Sequence, residues 1–209
     1  MSWAEAANTV LKNEHVVLRP VTEDDREPFR AIAFDPDIWR YFVNRVANDD
    51  DLDALVDGML ADLQAGRRAV FCIIDRPSGR LAGSSSYGLT AECDGRLEIG
   101  WSWLGRDFRG GTETASINRN AKFLLLTHAF EVLRAERVEF KTDELNERVR
   151  RGLRAIGARE EGTLRSFNPM PDGRRRNAVF YSILRSEWPG VRPRLAGTLV
   201  RRGPATVVS

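Results

Sequence analysis

The feature that most restricts how this chain can fold is a change of periodicity in its middle. Residues 97–103, Leu-Glu-Ile-Gly-Trp-Ser-Trp, have the apolar alternation of a strand. A Gly/Arg-rich stretch at 105–111 follows, and then Ile117, Ala121, Leu124, Leu125, Ala129, Val132 and Leu133 recur at helical spacing. Residues 137–141, Arg-Val-Glu-Phe-Lys, return to strand character. A strand, a long amphipathic helix and another strand in succession make a crossover, which sets two strands parallel in an otherwise antiparallel sheet. Where the first strand feeds the helix, unsatisfied backbone N–H groups and the positive helix end can meet phosphate oxygens.

The elements on either side fit one such sheet. Before the crossover the pattern predicts a strand at 15–19 and a helix capped at Thr22 that buries Phe29, Ile32 and Ala33 before Asp35-Pro36 ends it. Asp49, Asp50 and Asp51 open a second helix, with Leu52, Leu55, Val56, Met59, Leu60 and Leu63 at helical spacing and Gly66 closing it. Residues 69–74 and 81–89 flank the turn at 75–79 as a hairpin, and 97–103 completes a meander. After the crossover come a helix at about 146–156 and a hairpin of 158–167 and 177–184 around Pro171-Asp-Gly173. Past Trp188-Pro189 the pattern dissolves. The expected organisation is an N-terminal extension at 1–14, one α/β domain at 15–189 with about four helices, and a tail at 190–209.

Composition narrows the function classes. With 209 residues, 42% hydrophobic and 30% charged, the chain is long enough for one core without staples. Cys72 and Cys93 stand in neither a CxxC nor a Cys/His cluster, so neither a structural metal nor a disulfide framework is expected. No export signal or membrane-length apolar run is visible, and a cytoplasmic protein with no membrane partner is expected. The net charge of +2 hides an asymmetry: residues 35–62 hold eight aspartates against Arg40 and Arg45, and residues 148–202 hold fourteen arginines against four acids. Two readings stay open, a solvated charged surface, or a basic half facing an anionic ligand and an acidic half facing a cationic one.

Several blocks in order, namely 97–110, 118–126 with His128-Ala-Phe-Glu131, 137–148, 157–162, and 179–184 with Glu187-Trp188-Pro189, together resemble the GNAT acetyltransferase superfamily. More narrowly they resemble its RimL-like branch, which acetylates ribosomal-protein N-termini and many small amines. The resemblance covers residues 16–189. It implies the GNAT fold: a mixed, mostly antiparallel twisted sheet with a V-shaped split between the parallel strands 97–103 and 137–141, the fourth and fifth in order. Acetyl-CoA would be the co-substrate, with its pantetheine arm in the split and its pyrophosphate on the loop leading from Arg109 into the helix. A primary amine on a peptide N-terminus, an amino acid or another small molecule would attack the thioester directly. The loop departs from the family signature: Thr112 and Thr114 stand where glycines are usual, the loop is longer, and Glu113 adds negative charge. This leaves a second reading, a GNAT-fold binding module with altered CoA binding or another acyl donor such as acyl-tRNA. A third, disfavoured, is nucleic-acid recognition through the arginines at 148–154 and 174–176. Monomer and homodimer are both compatible with the sequence.

The resemblance and the strand pattern select the candidate residues. Glu98 is placed with Gly100 and Ser102 on one strand face, either as general base through water or as an ion-paired strand glutamate. Tyr181 is either the acid that protonates the thiolate or a packing tyrosine. Trp103, Leu104, Arg109, Gly110, Gly111, Thr112, Thr114 and Asn146 are the cofactor-binding candidates, Asn146 serving equally well as a helix cap. Trp39, Tyr41, Ser84, Ser86, Trp101 and Ser102 are the candidates for the acceptor side, with core packing the alternative for the aromatics and an exposed face the alternative for the serines. Asp35, Asp37 and the Asp49–Asp51 run would make that entrance anionic.

Overall fold

The computed structural model describes Trp3 and residues 9–109 and 111–199, apart from the side chains of 89 and 111–116. Its strands are β1 (Leu11–Lys12), β2 (Val16–Pro20), β3 (Ala69–Asp75), β4 (Leu81–Ala91), β5 (Arg96–Leu104), β6 (Arg137–Asp143), β7 (Arg159–Pro169) and β8 (Arg175–Leu184). Its helices among the described residues are α1 (Arg26–Ala33), α2 (Pro36–Trp39), α3 (Asp49–Gln64), α4 (Gly111–Thr127), α5 (Glu147–Ala155) and α6 (Trp188–Ala196). The strands form one sheet in the order β1-β2-β3-β4-β5-β6-β8-β7. Only β5 and β6 pair in parallel among the described residues, as the crossover through α4 requires.

The sheet separates two apolar clusters. On one face Ile117, Ala121 and Leu125 of α4, Leu153 of α5 and Trp188, Val191 and Leu195 of α6 pack on Phe71, Leu97, Ile99, Val138 and Phe140. On the other, Phe29 and Ala33 of α1, Ile38 and Trp39 of α2, and Leu52, Val56 and Met59 of α3 pack on Val70, Cys72, Leu81 and Trp103. A fully buried Phe or Leu in either cluster contributes ~1.5–3 kcal/mol.

Four sequence expectations change. The two-residue β1 precedes the first expected strand and pairs with β2, so the parallel pair is β5 and β6 rather than the fourth and fifth strands. Asp35-Pro36 ends α1 but also starts α2: the Asp35 side chain accepts from the Asp37 N–H at 3.0 Å, and a proline in the first turn sacrifices no hydrogen bond. Trp188-Pro189 likewise opens α6 instead of ending the fold, because Trp188, Val191 and Leu195 meet the core on one face. The helix count among the described residues is therefore six, not four, and residues 190–196 are not tail. Finally, α4 gives way to a wider turn at His128–Val132, which rotates the stripe and leaves Val132 exposed.

The β5–β6 ladder is short. It pairs Arg96 with Arg137, Leu97 with Val138 and Glu98 with Glu139, and stops there. Both strands continue, β5 to Leu104 and β6 to Asp143, without pairing each other. The two edges diverge from Glu98 and Glu139, and this gap is the expected V-shaped split.

Candidate active site

The site is shaped by a bulge in β5. Ser86 pairs with Gly100 and Ser84 with Trp103, so two residues, Trp101 and Ser102, oppose the single Ser85. Trp101 takes the left-handed backbone conformation, with φ of 50°. Its ring swings over Gly88, where a β-carbon would collide with the indole, and the Arg68 guanidinium lies 4.9 Å above it. The bulge overturns the expectation that Glu98, Gly100 and Ser102 share a face. Glu98 and Gly100 point to the α1–α3 side, while Ser102 turns to the α4 side, where its hydroxyl lies 2.7 Å from Ser85 Oγ and accepts from Lys122 Nζ at 2.7 Å.

On the α1–α3 side, Glu98 is 4% exposed at the apex of the split. Its carboxylate lies over Gly100, where a β-carbon would come within 2.6 Å of Glu98 Oε1. Lys141 Nζ donates to Glu98 Oε2 at 3.3 Å. Burial pushes the carboxyl above the ordinary carboxylate range against the opposing pull of Lys141. Ser84 and Ser86 project to this face from β4, and both are buried with hydroxyls that have no hydrogen-bond partner among the described residues. Such atoms are uncommon in a finished fold and mark where a ligand or water belongs.

Between the C-terminal part of β5 and the start of α5 lies a cleft of about 390 Å³. It brings together six of the predicted residues, Tyr41, Ser102, Trp103, Leu104, Arg109 and Asn146. Asn146 caps α5, its side chain accepting from the Val149 N–H at 3.2 Å. Arg109 is committed: its guanidinium forms an ion pair with Asp35, its Nε has no partner among the described residues, and it ties the loop before α4 to the end of α1. Gly110 lies outside the described residues. Gly111, Thr112 and Thr114 form the first turns of α4, their side chains outside the description.

Other candidates sit elsewhere. Trp39 is not an entrance wall: it is buried between Phe42 and Trp103, with its indole N–H donated to the Ala33 carbonyl at 2.7 Å. Trp103 is equally a core side chain, buried and packed on Phe29. Tyr181 is fully buried on the α4–α6 side; its hydroxyl donates to Glu160 Oε2 at 2.7 Å and accepts from Arg150 Nε at 3.3 Å. Of the aspartates expected at the entrance, Asp37 lines the cleft, and Asp35 is taken up by Arg109. Asp49 pairs with Arg30, Asp53 and Asp57 with Arg26, and Asp62 with Arg67 and Arg68. The basic half is also neutralised in part: Arg150 and Arg154 pair with Glu160, and Arg174 with Asp143.

Sequence reasoning misses three residues. Lys122 on α4 is buried, with its ammonium 5.7 Å from the centre of the Phe140 ring. Burial pushes it down to about 7, with Glu98 pulling the other way. Lys141 and Arg176 face Glu98 from β6 and β8. Arginine supplies 29 of the 32 basic residues, so a lysine beside the apolar stripe of α4 was the available signal.

The sequence pattern of the acetyltransferase (GNAT) domain matches residues 15–159. The chain is 26% identical over 198 residues to YdaF of Bacillus subtilis (strain 168), provisionally named a ribosomal N-acetyltransferase, covering 85% of this chain and 96% of that one. A provisionally named acetyltransferase from T. thermophilus superposes with a TM-score of 0.81 at 37% identity, over 91% of this chain and 97% of its own. RimJ of Mycobacterium smegmatis, solved in complex with CoA-disulfide, superposes with a TM-score of 0.71 at 24% identity, over 87% and 88% of the two chains. A split parallel pair with a buried carboxylate at its apex thus defines an acyltransferase fold. The chain belongs to the GNAT acetyltransferase family.

Proposed function

We propose that this chain transfers an acetyl group from acetyl-CoA to a primary amine, on a peptide N-terminus or a small molecule. The observation that carries the reading is Glu98, a buried carboxyl with a raised pKa at the apex of the split, facing the two unsatisfied serine hydroxyls. The residues present fit acetyl-CoA: the β5 edge beyond Glu98 has backbone groups without a ladder partner across the split, and the cleft runs from Ser102 to Asn146 and Arg148. Bound there, acetyl-CoA supplies an activated acetyl thioester. The relative RimJ, of the same fold, is solved with CoA-disulfide, which supports this use of the split.

The side chains divide the proton work by face. Glu98 takes the proton of the incoming ammonium, directly or through water, and a pKa raised by burial makes it a stronger base than an exposed carboxylate. Lys122 donates to the hydroxyl of Ser102, a residue that lines the cleft, so this pair would hold a proton for a leaving thiolate there. Tyr181 has its proton directed at Glu160 and holds Arg150 beside α5, a positioning role. The backbone N–H groups of 102–104, which line the cleft, would stabilise negative charge developing on a thioester oxygen bound there.

The ion pair of Arg109 with Asp35 favours the second reading, a binding module, because that guanidinium is not free for a pyrophosphate. Isothermal titration with acetyl-CoA decides between them. Micromolar binding, with thiol release on adding an amine, supports the enzyme; no heat at millimolar acetyl-CoA overturns it.

A further inference from the structure

One charged side chain near the apex has no direct partner. Arg176 is 8% exposed, and its guanidinium makes no hydrogen bond or ion pair with any described residue; its Nε is buried and unsatisfied. A guanidinium carries five N–H donors and no acceptor, and burying it with those donors unpaired is unfavourable even with Asp143 and Glu98 pulling on it from a distance. Its location is specific. Phe180 pairs with Lys141 and Ala178 with Asp143, so Arg176, two positions further along β8, projects to the same face as Lys141 and Glu98. Its guanidinium and the Lys141 ammonium flank the Phe167 ring, at 6.0 and 5.2 Å from its centre.

The neighbouring ion pairs leave the Arg176 donors unused. Lys141 is paired with Glu98, Arg137 with Glu139 and Glu161, and Arg174 with Asp143. None of these carboxylates makes a hydrogen bond to Arg176, whose buried Nε stays unsatisfied on the face that carries Glu98. A planar carboxylate matches the guanidinium fork.

We propose that Arg176 binds a carboxylate carried by the acceptor close to its amino group, either the α-carboxylate of a free amino acid or the side chain of an acidic N-terminal residue. This rests on the acetyltransferase reading and names the class of amine that it accepts. Glu98 receives the amino group, Arg176 the carboxylate, and Phe167 packs between.

The test compares acceptors that differ in one charge: L-alanine against L-alaninamide, and a peptide amide beginning Glu-Ala against one beginning Gln-Ala. The intact chain should favour one carboxylate member by ~10- to 100-fold in kcat/KM, and which pair shows this identifies the source of the carboxylate. Arg176→Gln should lower kcat/KM for the carboxylate member at least tenfold more than for the uncharged one, chiefly through KM, with acetyl-CoA affinity within about twofold, and Arg176→Lys should restore part of the preference. Equal use of both members in both pairs overturns the proposal. So does an Arg176→Gln variant that slows both members alike or melts lower with its preference intact. If no amine is acetylated, the acetyltransferase reading fails separately, and the same probes are titrated against tryptophan fluorescence. Saturation by a carboxylate member that Arg176→Gln abolishes then supports the carboxylate site, and none overturns it.

Discussion

Lys122→Met should make the protein more stable and less active, with the stability gain depending on pH in a defined direction. The folded state holds the ammonium at about 7, against an ordinary value of 10.5. That depression is worth ~5 kcal/mol against the charged form, as an upper figure. Between these two values the unfolded chain binds more protons than the folded one, so this group's contribution to stability rises with pH. Below about 7 the whole penalty is present; toward pH 10 it vanishes. Methionine keeps the length of the side chain and removes the charge. The variant loses the 2.7 Å bond to Ser102 Oγ, about 1 kcal/mol, and relieves the rest. At pH 6 the net gain should be ~2–4 kcal/mol, a Tm higher by about 5–10 °C for a chain of this length. The gain should shrink steadily by pH 9. Turnover at pH 7 should fall at least tenfold, because the proton reaching the leaving thiolate is lost, while acetyl-CoA affinity holds. Differential scanning calorimetry at pH 6, 7.5 and 9 and a thiol-release assay read both effects. A lower Tm at every pH, or a gain independent of pH, would refute the reasoning that burial strains this ammonium.

Glu98→Gln should lower kcat by ~10²- to 10⁴-fold with acetyl-CoA affinity nearly unchanged; retained turnover removes it as the base. In the intact chain the acidic limb of the kcat/KM profile should lie above the ordinary carboxylate range, since burial raises the Glu98 pKa, and a limb near pH 4 contradicts that. Tyr181→Phe should keep kcat within about threefold while costing ~0.5–1.5 kcal/mol of stability through the lost Glu160 bond; a hundredfold drop would reinstate the phenol as the acid. Trp188→Ala should cost ~3–5 kcal/mol in a denaturant titration, because α6 docks on the core through this side chain; an unchanged midpoint would show that it does not.

The layout was legible where periodicity was strong. The change from strand to helix spacing after Trp103 was enough to place the parallel pair and its split, because a crossover between neighbouring strands allows little else. Helix starts written with proline read wrongly as stops. Asp35-Pro36 and Trp188-Pro189 carry both a stop and a start, and only the faces that meet the core decide between them. The bulge at Trp101 was invisible to alternation, since nothing in Gly-Trp-Ser-Trp marks a left-handed non-glycine residue. It exchanged the faces of two side chains, moving Ser102 away from Glu98. The charge asymmetry misled for another reason: local runs of one sign say nothing about partners distant in sequence, such as Arg26 for Asp53 and Asp57.

Most of the perturbed buried groups share one neighbourhood. Ser84 and Ser86 without partners, Glu98 with a raised pKa, Lys122 with a lowered one and Arg176 without a hydrogen bond come from the strands and helix around the β5–β6 split. Thr127 Oγ1, Asn168 Oδ1 and Arg109 Nε are the other unsatisfied buried atoms among the described residues, and only that of Arg109 is on a charged group, which Asp35 pairs. Among the described residues, the buried charges outside the split are paired or hydrogen-bonded, as Asp25 is with Arg19 and Asp75 with Ser78. Stability given up in one place, with opposite charges on opposite faces of one strand, is what a site needs that takes a proton from an amine on one side and delivers one to a thiolate on the other. The bulge makes this separation possible: a regular β5 would have set Ser102, and with it the link to Lys122, on the same face as Glu98.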